Sequence, residues 1–156
     1  MDSNSFLARF GIDPERISLS SGPIKTDDGF MYEAEEARDH DAECPFCLCK
    51  DKVEVHSHYY KMVRCHQNGA LTDFVRLRRI VYRCRKCGKT FTLRISGISE
   101  KKATSEMMRN MIVFEFSTGK TFAQIAKEYH VSSTYVINVF DSCFKTIKRL
   151  PMPRVM

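Results

Sequence analysis

A chain of 156 residues with a net charge of +6 has room for one ordinary domain or two small ones. No run approaches the roughly 20 apolar residues of a membrane span, and Met1-Asp2-Ser3-Asn4-Ser5 lacks the basic and apolar regions of a secretory signal. Membrane and secreted classes are not expected, and in an intracellular chain paired cysteines bind metal more often than each other.

The net charge conceals a division. Residues 1–43 carry 4 Lys and Arg against 11 Asp and Glu, whereas residues 44–156 carry 21 against 8. A basic balance that begins at the first cysteine pair suggests a polyanionic partner for the C-terminal part.

In chain order, residues 5–10 predict a short helix stopped by Gly11. Ile17–Ser20 and Phe30–Tyr32 read as short strands, with turn residues at Ser21-Gly22-Pro23 and Asp27-Asp28-Gly29. Glu33–Glu43 reads as a solvated acidic approach, in an N-terminal segment (1–43) expected to pack on the domain spanning 44–98. Val53–Tyr60 predicts a strand, Asn68-Gly69 a turn, and Thr90–Ile95 a further strand. Between them Phe74–Tyr82 interleaves apolar residues with arginine, a strand with one packed and one basic face. Gly97–Lys102 reads as a linker. Ser105 caps a helix over 106–116, broken at Ser117-Thr118-Gly119-Lys120. Thr121 and Gln124 form a capping box for a second helix. His130-Val131-Ser132 turns into a third, expected to reach about Arg149.

Cys44-Pro45-Phe46-Cys47 and Cys84-Arg85-Lys86-Cys87 are separated by 36 residues. Each pair sets two thiolates on one tight turn, and two such turns complete a tetrahedral site, so one structural zinc per chain is expected on Cys44, Cys47, Cys84 and Cys87. Leu48 follows the first pair where glycine is common, and Gly88 follows the second. Cys49 and Cys65 are left as spare thiols, while Cys143 reads as a buried small apolar residue. The fold class expected is α+β: short N-terminal strands and an antiparallel zinc ribbon (44–98), then a three-helix helix-turn-helix domain (99–156).

Thr121-x-x-x-Ile125-Ala126-x-x-x-His130-Val131-Ser132-x-x-x-Val136 has helix-turn-helix spacing. Ala126 is small for a close helix crossing, and Ile125, Val131, Val136 and Phe140 form the expected core. The turn position of His130 favours positive φ, which histidine tolerates better than most residues. Ser133, Thr134, Tyr135 and Asn138 would face base edges in the major groove. Arg76, Arg78, Arg79, Arg83, Arg85, Lys120, Lys127, Lys145, Lys148 and Arg149 would contact the DNA backbone.

With these residues in place, 44–140 resembles the N-terminal region of bacterial insertion-sequence transposases of the ISL-three group. The matching stretches are Cys44-Pro45-x-Cys47, Tyr82-Arg83-Cys84-x-x-Cys87-Gly88-Lys89-Thr90-Phe91, and Ile125-Ala126 to Val131-Ser132. The resemblance implies double-stranded transposon ends, the terminal inverted repeats, as partner. It also implies a cytoplasmic, nucleoid-associated setting and a part in transposition; a homodimer stays open. Family members continue into an RNase H-like catalytic domain, whereas this sequence stops at Met156. The acidic residues after Cys87 fall in a linker and in helices, not in a two-metal set. Binding without cleavage is therefore expected, and the alternative is a free-standing transcription regulator derived from a transposase.

Overall fold

A computed structural model describes residues 3–66, 71–99 and 103–144. The expected Asn68-Gly69 turn, part of the linker and the end of the last helix lie outside these residues. The chain divides into two compact units, Met1–Met108 and Arg109–Met156.

The first unit contains α1 (Ser3–Arg9), β1 (Ile17–Thr26), β2 (Gly29–Glu36), β3 (Val53–His66), β4 (Thr72–Cys84) and β5 (Thr90–Phe91). They form one sheet in the order β1-β2-β4-β3, with β5 also on β4. β1–β2, β3–β4 and β4–β5 are antiparallel, whereas β2 and β4 run parallel. Asp27 and Asp28 form the two-residue connection of the β1–β2 hairpin, where Thr26 pairs with Gly29. Gly29 also begins the parallel pairing, opposite Thr72. A Cβ at Gly29 would lie 1.9 Å from the Thr72 carbonyl oxygen, so only glycine lets β2 start against β4.

This mixed five-stranded sheet with four short helices corrects the expected antiparallel zinc ribbon and three-helix helix-turn-helix domain. The acidic stretch is a solvated approach only in its later part: its first residues belong to β2, whose carboxylates alternate in step with the arginines of β4. That charge match gives β4 a second neighbour, making it a central strand and not the edge of a ribbon. The last strand shrinks to Thr90–Phe91, while β3 extends six residues beyond Tyr60.

β4 serves two cores. Val75 and Leu77 join Phe6 and Leu7 of α1 and Phe10 just after it, with Ile12, Ile17, Val63, Ile95 and Ile98. Ile80, Tyr82 and Cys84, of opposite parity and so on the other face, join Ala42, Cys44 and Phe91. The change of face falls at Arg79 and Ile80, both buried. The β3–β4 register shifts nearby, between Val55 and Ser57.

Helix α2 (Glu106–Glu115) contains the division between the units. Its Met108 amide donates to Ser105 Oγ at 3.1 Å, the cap expected from the sequence. The second unit adds α3 (Phe122–Glu128) and α4 (Ser133–Phe144). Thr121 and Gln124 form the capping box in both directions, at 3.3 and 2.8 Å. Ser132 Oγ accepts from the Tyr135 amide at 3.1 Å. The turn between α3 and α4 carries His130 at φ 51°, as its position suggested. Ile112, Ile125, Ala126, Tyr129, Val136 and Val139 are buried. Val131 and Phe140, expected in this core, are half-buried.

Candidate metal centre

The thiol sulfurs of Cys44, Cys47, Cys84 and Cys87 all lie within 4.8 Å of one another. The loop before β3 supplies one pair, and the end of β4 with the turn that follows it supplies the other. Cys44 Sγ is 3.6 Å from Cys87 Sγ, and Cys47 Sγ is 3.5 Å from Cys84 Sγ. Disulfide sulfurs would stand about 2.0 Å apart. Four sulfurs about 2.3 Å from a tetrahedral centre would stand about 3.8 Å apart, close to the two short separations here. The cluster can hold a metal ion.

Both turns are built alike. The Leu48 amide donates to the Cys44 carbonyl at 2.9 Å, and the Gly88 amide to the Cys84 carbonyl at 2.8 Å. The Cys44 amide donates to the Cys49 carbonyl and the Cys84 amide to the Lys89 carbonyl, each at 3.0 Å. Leu48 and Gly88 both have positive φ, 55° and 74°. Backbone donation from Cys87 outweighs burial and, aided by Lys86 and the neighbouring thiols, brings Cys84 down to about 6. Desolvation, reinforced by the other three thiols, pushes Cys47 up to about 12. A divalent cation bound by thiolates would displace the thiol protons. Four protein sulfurs would fill a tetrahedral shell and leave no position for a reacting water.

Of the spare thiols, Cys49 packs beside the centre, and Cys65 is buried in the other core. Burial and the facing carboxylate of Asp73 push Cys65 up to about 12, against a hydrogen bond to Ser105. Cys143, expected to be buried, is exposed within reach of Arg109 Nη2 at 3.6 Å. His56 and His58 are exposed on β3.

The residues expected to contact DNA are treated unequally. Ser133, Thr134 and Asn138 are exposed on α4, opposite buried Val136 and Val139, while Tyr135 is half-buried. Arg79 is not available to a phosphate. It is 1% exposed, its Nε donates to Glu36 at 2.7 Å, and its Nη2 donates to the Leu93 carbonyl. Arg76 pairs with Glu33 at 3.2 Å and lies over the Tyr60 ring, and Arg78 pairs with Glu35 at 3.5 Å. Arg85 pairs with Glu54 at 2.5 Å. Lys120 is held between Glu115 and Glu128, at 2.8 and 2.7 Å. Arg83 and Lys127 are exposed; Lys145, Lys148 and Arg149 lie outside the described residues. Sequence reasoning missed the neutralising carboxylates of β2; their alternation with Tyr32 and Ala34 was the available signal.

Among the described residues no helix is long and apolar enough to cross a membrane. Compared with protein-family models, curated proteins and solved structures, the chain matches none.

Proposed function

We propose that this chain is a zinc-stapled protein that binds double-stranded DNA through the first turns of α4. The observation that carries the reading is the face of that helix. Ser133, Thr134 and Asn138 stand in solvent on a short helix anchored by Val136 and Val139 and started by a fixed turn at His130. Asn suits paired hydrogen bonds to adenine, and Ser and Thr are less discriminating. A capped helix entering the major groove by its N-terminal end presents such side chains to base edges.

Zinc is the ion favoured by four thiolates in tetrahedral array, and its role is structural because no ligand position stays open. Arg83, Lys127 and the basic residues after 144 supply phosphate contacts; Arg76, Arg78, Arg85 and Lys120 contribute only by exchanging carboxylates for phosphate. The resemblance to transposases narrows the target to transposon terminal inverted repeats. Binding without cleavage by this chain is part of the same proposal.

The test is selection from a randomised duplex pool, followed by binding to the enriched sequence and a shuffled one across a salt series. Preference for the enriched duplex, loss of that preference in Asn138→Ala, and a steep fall in affinity with salt are expected. Absence of enrichment together with salt-insensitive binding would refute the reading.

A further inference from the structure

The two cysteine turns share a backbone and differ in what they display. At the matching position the second uses Gly88, relaxed at φ 74°, and the first uses Leu48 at φ 55°. A leucine there is strained where glycine is not, and Leu48 is 72% exposed, so packing does not compensate. Phe46, in the same turn, is 55% exposed. Lys89 of the second turn sits over its ring at 4.5 Å, bringing cation and aromatic onto one surface. Lys86 and Lys89 are exposed and form no ion pair among the described residues, while Arg83, also exposed, lies opposite Glu54 and helps lower that carboxyl's pKa.

Strain at an exposed apolar side chain is a reason to look for function. Two exposed apolar side chains, with Lys89 held over the ring of one of them, are also a small patch for a protein partner, which covers about 800 Å² on each side. The geometry points to the metal tip as a DNA wedge. Leu48 and Phe46 enter a duplex at a base step from the minor groove, and Lys86, Lys89 and Arg83 hold the flanking phosphates. Apolar side chains inserted in this way partly unstack the step and bend DNA by roughly 20–90°. The rigid metal turn lets the wedge push without folding back. This inference rests on the DNA-binding reading but uses a surface separate from α4.

The experiment is energy transfer between dyes at the ends of the enriched duplex, bound to the full zinc-loaded chain. Wild type should shorten the end-to-end distance. Leu48→Gly combined with Phe46→Ala should leave the duplex straight and bind on the order of tenfold more weakly. Leu48→Gly alone relaxes the backbone, so its melting temperature should hold or rise while bending falls, which separates the wedge from misfolding. Asn138→Ala should lose sequence preference and keep the bend. Bending unchanged in the double variant, or a straight duplex under wild type, would overturn the wedge and leave DNA binding standing. No DNA binding by wild type would remove both readings. Loss of self-association without loss of bending would reassign the tip to a protein contact.

Discussion

Glu36 Oε2 accepts from Arg79 Nε at 2.7 Å and from the Ile80 amide at 2.9 Å, with both side chains sealed from solvent. The contact sits where β4 changes the face it buries, so one carboxylate oxygen anchors both sides of the change. Its partner oxygen, Oε1, has no hydrogen bond, which leaves the pair dependent on Arg79. Removing one member should cost about 3–5 kcal/mol, because the other charge stays buried. Glu36→Leu with Arg79→Met should cost less than either single change. Urea denaturation of the three variants gives the comparison, and additive losses would mean that the two residues do not act as a pair.

The metal centre makes a compositional prediction and a stability prediction. Purified protein should contain one equivalent of zinc, and cobalt in its place should give the thiolate charge-transfer and tetrahedral bands of a four-sulfur site. Cys84→Ser should lower stability by about 3–5 kcal/mol, roughly 10 °C or more in Tm. Metal analysis and thermal melts decide this. Full stability in Cys84→Ser with metal lost would show that the ion is not structural.

The matching positive-φ positions of the two cysteine turns can be tested by exchange. Leu48→Gly should be neutral or stabilising by up to about 1 kcal/mol, since relief of strain is partly offset by a freer unfolded chain. Gly88→Leu should cost about 1–2 kcal/mol for the converse reason. A destabilised Leu48→Gly would show that this side chain packs in the folded protein more than its exposure indicates.

Asp73 is fully buried, with no side-chain hydrogen-bond partner for its carboxylate. It faces Cys65 across the β3–β4 pairing and Phe30 across β2–β4. Burial raises its pKa, against the Phe30 amide and the charge of Arg9. A carboxyl group with a raised folded-state pKa favours the folded state while protonated. Its contribution is full below the ordinary value of about 3.9 and is lost as pH rises through the raised value. Glu115 has the opposite sign, because Lys120 lowers its pKa, so its support is lost as pH falls. Asp73→Asn should therefore flatten the decline in stability above pH 4 and leave the acid limb from Glu115 intact. Parallel stability–pH curves for wild type and variant would count against this.

What was legible in the sequence was local. Thr121 and Gln124, Ser132, Ser105 and the paired cysteines act over a few residues, and their caps and turns form as their types require. The positive φ of His130 was legible for the same reason. Contacts across 43 residues were not. Glu33, Glu35 and Glu36 look solvated until Arg76, Arg78 and Arg79 arrive in parallel register. Arg78-Arg79-Ile80 reads as a basic patch because alternation assumes that a strand keeps one face inward. β4 does not, and the buried arginine marks where it stops doing so.

The parallel register has a consequence for the order of folding. Gly29 pairs with Thr72 at an offset of 43 residues; Glu36 with Arg79 and Cys44 with Cys87 keep that same offset. The metal site thus closes the chain just past the ends of β2 and β4, as a clasp would close two ribbons already laid side by side. Parallel pairing across a long loop is slow because closure entropy precedes any reward. An ion captured early by four thiolates would meet that cost once and set the register for the whole ladder. Stopped-flow refolding should accordingly run faster with zinc present than with chelator, and equal rates would mean that the sheet finds its register before the clasp is fastened.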